Sequence, residues 1–286
     1  MAAEVPFRNV AVLGTGLIGG SFALAVHKAF PHIPVVGWDR PEVLRRAVER
    51  AAITHAAESL AAAVAAADLV YVALPIGVTL DLLPEIAHHA PVGSLVTDAA
   101  STKASICRAA AEHFRGGVGF LGGHPLAGKE MSGIDHADAA LFRGAKYVLI
   151  GELHESATTG FEALLRGLGA EPVWLDAETH DWAAGIVSHL PQLASVALAR
   201  VVNDETDETG LPLSLAGTGL RDALRLAGSP YAIWRDVCLT NRENLVRSLD
   251  RMIQALEHLR GSLASRELGR QFDAANQVYK SLHELD

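Results

Sequence analysis

Apolar residues fall along this chain in two textures. From residue 10 to about residue 176, short apolar runs alternate with helical segments; the runs are 10–13, 34–38, 69–74, 94–97, 118–121, 146–150 and 172–175. Most are continuous apolar strings, which predicts parallel strands covered on both faces. Helices between them make a βαβ series, hence an α/β, doubly wound parallel sheet of the Rossmann type. Past residue 176 the strand signals end and helical periodicity continues to the last residue. There Leu245, Leu249, Met252, Leu256 and Leu259 recur at three- and four-residue spacing and make one apolar face. Ser229–Pro230 reads as an N-cap followed by a helix-opening proline. Residues 203–210 (NDETDETG) read as a solvated acidic loop, because they lack the ligand alternation of a calcium loop. The expected organisation is a dinucleotide-binding domain, 1–176, and an all-helical domain, 177–286, able to bury its core alone or with a symmetry mate.

Composition narrows the partners. Half of the chain is apolar and a fifth is charged, the balance of a soluble globular protein. A net charge of −9 gives no reason to expect nucleic acid or an anionic membrane. It still permits an anionic substrate held by local arginines. Cys107 and Cys238 stand in no metal or redox spacing, which suits a reduced, cytoplasmic setting. The N-terminus carries Glu4 and runs into an apolar strand, so no signal peptide is expected. The longest apolar stretch, 60–74, is broken by Asp68 and reads as a helix and a buried strand, not a membrane span. None of the 13 histidines has a convincing ligand spacing, and no metal is expected.

The first strand ends in Gly14-Thr15-Gly16-Leu17-Ile18-Gly19-Gly20, a G-x-G-x-x-G turn opening an apolar helix. Gly14 permits the tight turn, Gly16 lets backbone approach a diphosphate, and Gly19 lets helix pack on strand. A second strand ends in Asp39, placed to accept hydrogen bonds from both ribose hydroxyls and to repel a 2′-phosphate. NAD is therefore expected over NADP, although Arg40 beside it suits a phosphate. Candidate cofactor contacts are Gly14, Gly16, Leu17, Ile18, Gly19, Asp39, Arg40 and, at the end of the third long strand, Leu74 and Pro75. The fourth strand ends in Asp98-Ala99-Ala100-Ser101-Thr102-Lys103, opening on the same crevice. Ser101 also reads as the N-cap of the next helix.

The segment from Gly122 to Gly133, GGHPLAGKEMSG, closely resembles the H-P-[MIL]-A-G-x-E-x-S-G signature of prephenate and arogenate dehydrogenases. Three further pieces fit that family in order: Thr97-Asp98 through Ser101 and Lys103; Ser188-His189-Leu190-Pro191; and GTGLRD (217–222) with Arg225, continuing into Ser229-Pro230 and Trp234-Arg235-Asp236. The resemblance implies an NAD-dependent oxidative decarboxylation of prephenate to 4-hydroxyphenylpyruvate in tyrosine biosynthesis, or of arogenate to tyrosine. It also implies a homodimer through intertwined helical domains, consistent with the apolar face above.

On that reading His124 takes the ring-hydroxyl proton as hydride leaves, work suited to a histidine. Ser101 would bond the same hydroxyl or orient His124. The substrate carries two carboxylates; Arg225 matches the family's carboxylate anchor, and Arg221 lies one helical turn earlier. His189 and Gln192 are assigned to substrate, and Glu130 and Asp222 to pairing with the arginines. Gln192 departs from the family, which often has histidine there and so S-H-L-P-H. Lys129 stands where a smaller polar residue is common and has no role in this reading. A 3-hydroxyacid dehydrogenase of similar build would need a lysine on the first helix of the second domain, but none occurs between Lys146 and Lys280. A non-catalytic nucleotide sensor on the same fold is the other rival. No room is expected after the helical half for an appended regulatory or mutase domain.

Overall fold

The computed structural model describes residues 5–129, 131–151, 156–206 and 208–284. Glu130, one of the expected substrate-site residues, and Asp207 lie outside them. The first half runs β1 (Val10–Leu13), α1 (Leu17–Ala29), β2 (Val35–Trp38), α2 (Pro41–Glu49), β3 (His55–Ala56), α3 (Leu60–Ala65), β4 (Leu69–Val72), α4 (Ile76–His89), β5 (Leu95–Asp98), α5 (Ala104–His113), β6 (Gly119–Pro125), β7 (Lys146–Ile150), α6 (Ser156–Gly167) and β8 (Glu171–Trp174). The helical half follows as α7 (Ala177–Ala184), α8 (Leu190–Glu205), α9 (Leu211–Ser214), α10 (Thr218–Leu224), α11 (Tyr231–Thr240), α12 (Arg242–Ser262) and α13 (Glu267–His283).

The strands form one sheet in the order β3-β2-β1-β4-β5-β6-β7-β8. Alternate residues point to opposite faces, and both faces are covered. Val10 and Val12 of β1 join Leu69 and Tyr71 of β4 in a cluster with Phe22, Phe142, Tyr147 and Phe161. Ala11, Leu13, Val70 and Val72 join Leu60, Val64, Ile86 and Val96 on the other face. Two features depart from the expected sheet. β7 pairs antiparallel with β6, while every other pair is parallel. Among the described residues of 126–145, which join them, the helical element is a short 3-10 turn at Ile134–His136, and no crossover helix is needed for an antiparallel neighbour. β3 is new; its two residues are exposed and too short to leave a periodic signal.

α7 and α8 form one helix interrupted by a π turn at Gly185–His189. Pro191 explains the slip. It has no N–H, and its ring crowds the carbonyl four residues back, so the hydrogen-bond ladder loosens just before it. Helix 177–205 is long and apolar enough to cross a membrane by length and composition alone. Its buried face, however, carries His180, Asp181, His189, Gln192 and Ser195, each hydrogen-bonded to protein. That is a face made for packing against the rest of the chain.

Two carboxylates of the helical half serve helices of the other half. The Asp181 side chain accepts the Lys103 and Ala104 N–H groups at the start of α5, at 2.7 and 2.9 Å. The Asp236 carboxylate accepts the Gly77 N–H at the start of α4, at 2.9 Å. The Arg235 guanidinium and that N–H together hold the Asp236 carboxyl below the usual carboxylate range. Thr102 and Thr240 hydroxyls meet at 2.7 Å, and Val237 packs with Ile76, Leu83 and Ile106. Ser101 is therefore not the N-cap of α5; Lys103 holds that position without a side-chain cap, and Asp181 supplies the acceptor. Nor does Ser229 cap α11, whose N-cap is Pro230 itself. The acidic segment expected as a loop is helical through Glu205, at the end of α8.

Candidate active site

At the ends of β1, β2 and β4 the chain builds a cradle for a dinucleotide. Gly14 has φ +88, and a Cβ there would lie 2.4 Å from the Ala73 carbonyl oxygen. At Gly19 a Cβ would strike the Gly14 oxygen at 1.9 Å, so helix and turn touch through glycine alone. Gly16 differs: a Cβ there would meet nothing within 4 Å. Open space therefore lies beside the N-terminus of α1, where Gly16 provides no side-chain cap and the first turn holds no acid. Uncapped N–H groups and the helix dipole suit a diphosphate. Asp39 braces this turn, accepting the Thr15 N–H through Oδ2 and the Arg40 N–H through Oδ1, each at 2.7 Å. Each carboxylate oxygen keeps acceptor capacity for a ribose hydroxyl. A 430 Å³ recess beside it, lined by Trp38, Asp39, Leu44, Arg45, Val48 and Ala57 among others, has the size and apolar floor for an adenosine. The residues fit the cofactor that the sequence implies.

The reactive centre stands at the ends of β5 and β6. Asp98 and Lys103 are fully buried and form an ion pair. Asp98 Oδ1 accepts the Gly123 N–H at 3.1 Å, and Lys103 Nζ donates to the Gly123 carbonyl at 2.6 Å. A Cβ on Gly123 would sit 2.4 Å from the Asp98 carbonyl oxygen, so the two strand ends close only with glycine here. This clamp sets the strand position of the next residue, His124.

His124 lines a 440 Å³ cavity with Pro125, Leu126, Val148, Ala183, Val187 and Ser188 among its walls. Its Nδ1 lies 2.8 Å from His180 Nε2, and His180 Nδ1 lies 2.8 Å from Asp181 Oδ1. Burial, followed by the charges of His180, Lys103 and His189, holds His124 well below the ordinary histidine value. The imidazole is neutral at neutral pH, able to accept a proton but not predisposed to keep one. His180 and Asp181 were not anticipated from the sequence. Adjacent helix positions rarely face one another, so no spacing signal marked them.

The remaining expected residues are dispersed. Ser101 is partly buried on the bend after β5. His189 is buried in the π turn, 3.0 Å from Asn241 Nδ2 and edge-on to Trp234, and burial pushes it down to about 4. Gln192 donates to the Leu226 carbonyl at 2.8 Å, and Ser195 donates to the Ala223 carbonyl at 2.8 Å. Both brace the segment that carries Arg225. Arg221, Asp222 and Arg225 are exposed on α10 and the 3-10 turn after it, and are not among the residues lining the His124 cavity. Lys129 pairs with Asp138 at 3.1 Å and donates to the His136 carbonyl, fastening the loop after β6 to the loop before β7.

Known proteins match the chain over most of its length. The family described as prephenate dehydrogenase, nucleotide-binding domain, matches residues 22–170, and that described as prephenate dehydrogenase, dimerization domain, matches residues 176–275. The chain is 37% identical over 262 residues to a prephenate dehydrogenase of Lactococcus lactis, covering 91% of this chain and 72% of that one. Among solved structures it is similar to prephenate dehydrogenase from A. aeolicus in complex with hydroxyphenyl propionate and NAD+, with TM-score 0.89 and 26% identity over 99% of this chain and 100% of that one. It is also similar to Synechocystis arogenate dehydrogenase, with TM-score 0.81 and 29% identity over 96% and 99% of the two chains.

Proposed function

The chain belongs to the prephenate dehydrogenase family, and from that premise we propose that it is an NAD-dependent prephenate dehydrogenase that oxidises and decarboxylates prephenate to 4-hydroxyphenylpyruvate, within tyrosine biosynthesis. The observation that carries this reading is His124, which lines a 440 Å³ cavity at the end of β6, in the same sheet whose β1, β2 and β4 ends build the dinucleotide cradle. Bound NAD supplies the hydride acceptor. His124 takes the proton of the ring hydroxyl as the C–H bond is broken, and Ser101 steadies that hydroxyl or the imidazole. Loss of CO2 then leaves an aromatic ring, which makes the step irreversible. Arg225 anchors a substrate carboxylate, with Arg221 as its neighbour and Asp222 and Glu130 pairing with these cations. His189, which we assign to the substrate side, is buried next to the cavity-lining Ser188. Gln192, committed to Leu226, acts on substrate by fixing the Arg225 segment. We propose 1–176 and 177–286 as the two domains.

The test is NADH formation from prephenate, with arogenate as the comparator and Arg225→Ala beside the wild type. Prephenate is expected to have the higher kcat/KM. Arg225→Ala is expected to raise its KM by roughly 10–100-fold, the loss of a charged hydrogen bond. Turnover of arogenate alone would overturn the substrate assignment, and an unchanged KM would remove Arg225 from it.

For the cofactor, Asp39 favours NAD. Asp39→Ser is expected to raise the KM for NAD and narrow the gap to NADP. Tenfold better kcat/KM with NADP in the wild type would make Arg40 the determinant instead.

The helical half leaves Val196, Val201, Leu239, Ile253 and Leu256 exposed, among other large apolar side chains. A second copy covering this surface gives a two-fold dimer. Light scattering should then report twice the 30.2 kDa of the chain; a mass of one chain at micromolar concentration defeats the dimer.

A further inference from the structure

α7 buries two polar side chains, His180 and Asp181, against the end of β6 and the start of α5. Their bonding is directional. Asp181 accepts the Lys103 and Ala104 N–H groups, which turns its carboxylate so that Oδ1 faces His180 Nδ1. A carboxylate only accepts, so His180 Nδ1 carries a proton; neutral His180 then has a bare Nε2. The His124 Nδ1 facing that Nε2 at 2.8 Å must therefore be the donor. One tautomer of His124 remains, with its lone pair on Nε2. The order of bonds selects the form of the imidazole able to take a proton.

We propose that His180 and Asp181 are positioning residues for His124, which fix its base tautomer and relay the proton it takes from the substrate. The proposal rests on His124 being the base. As the hydroxyl O–H bond breaks, its proton bonds to His124 Nε2. The Nδ1 proton of His124 passes to His180 Nε2, and the positive charge comes to rest on His180 against the Asp181 carboxylate. One proton enters and none is lost. The surroundings favour that direction. Lys103, at the end of the β5 turn, is cationic and already paired with Asp98, so a charge remaining on His124 would face it. His189 on the π turn, Cys107 on α5 and Glu178 on α7 are the other titratable groups nearby. Asp181 is the carboxylate in direct contact with the relay.

The experiment is steady-state turnover of prephenate with NAD across pH for the wild type, His180→Gln, Asp181→Asn, His124→Asn and the double variant His124→Asn/His180→Gln. His180→Gln is expected to lower kcat about 10²-fold with both KM values within about threefold, and to displace the acidic limb of kcat/KM. In the His124→Asn background the same change should cost less than about twofold, because it acts through the group already removed. In Asp181→Asn the amide oxygen keeps the Ala104 N–H while the NH2 takes the place of Oδ1, which gives up the Lys103 N–H and presents N–H to His180, reversing the tautomers. It should reproduce the kcat loss, and a melt with the cooperativity of the wild type separates that loss from unfolding. An equal loss in both backgrounds, or an unmoved pH limb, would assign His180 a packing role and overturn the relay. If His124→Asn itself retains more than a tenth of kcat, the base assignment fails first. If that variant is impaired while His180→Gln and Asp181→Asn match the wild type, only the relay fails.

Discussion

Replacing His124 with asparagine is expected to lower kcat by about 10²–10⁴-fold with little change in substrate KM. Asparagine is close in size and still bonds hydrogen, but it cannot accept a proton near neutral pH. The loss therefore falls on the chemical step and not on binding. Burial and the charges of His180, Lys103 and His189 depress the His124 pKa, which gives the wild-type enzyme a second signature. The base is unprotonated above its lowered pKa, so the acidic limb of kcat/KM should lie below the ordinary histidine value of about 6.5. The limb should vanish with His124. A variant retaining more than a tenth of wild-type kcat would remove His124 from the reaction.

Lys103→Met is expected to destabilise the fold by about 3–5 kcal/mol, because it leaves the fully buried Asp98 without its cation. For a chain of this size that corresponds to a drop in Tm on the order of 10 °C. Asp98→Asn in the same chain should restore part of the loss, since the uncompensated charge is then gone, and only part, since the single amide oxygen accepts one of the Gly123 and Ala100 N–H groups and not both. Urea or thermal melts of the two variants measure both effects. A loss below about 1 kcal/mol for Lys103→Met would show that Asp98 is satisfied by its backbone donors alone.

The parts legible in the sequence are those whose signal is local. The glycine turn, the strand before it and Asp39 lie within 30 residues, and their spacing alone states the geometry. His124 was found through a contiguous motif. His180 and Asp181 were missed because their meaning depends on a partner 56 residues away and on a side-by-side contact that helix periodicity does not encode. The two caps differ from expectation for separate reasons. Ser101 and Ser229 have the composition of N-caps, but α5 takes its acceptor from a different domain and α11 begins on proline. The motif puts Gln192 on the substrate; one of its amide N–H groups donates to the turn that carries Arg225, a long-range bond with no signal in the motif.

The trans caps have a consequence for how this molecule can move. Swinging the helical half away from the sheet would strip the Lys103 and Ala104 N–H groups of Asp181 and the Gly77 N–H of Asp236. Each lost cap costs about 0.5–2 kcal/mol, and the freed carboxylates would have to rehydrate. The same swing would draw His180 away from His124. A wide clamshell motion about the linker is thus opposed at both helix ends. The two halves should then stay together through turnover.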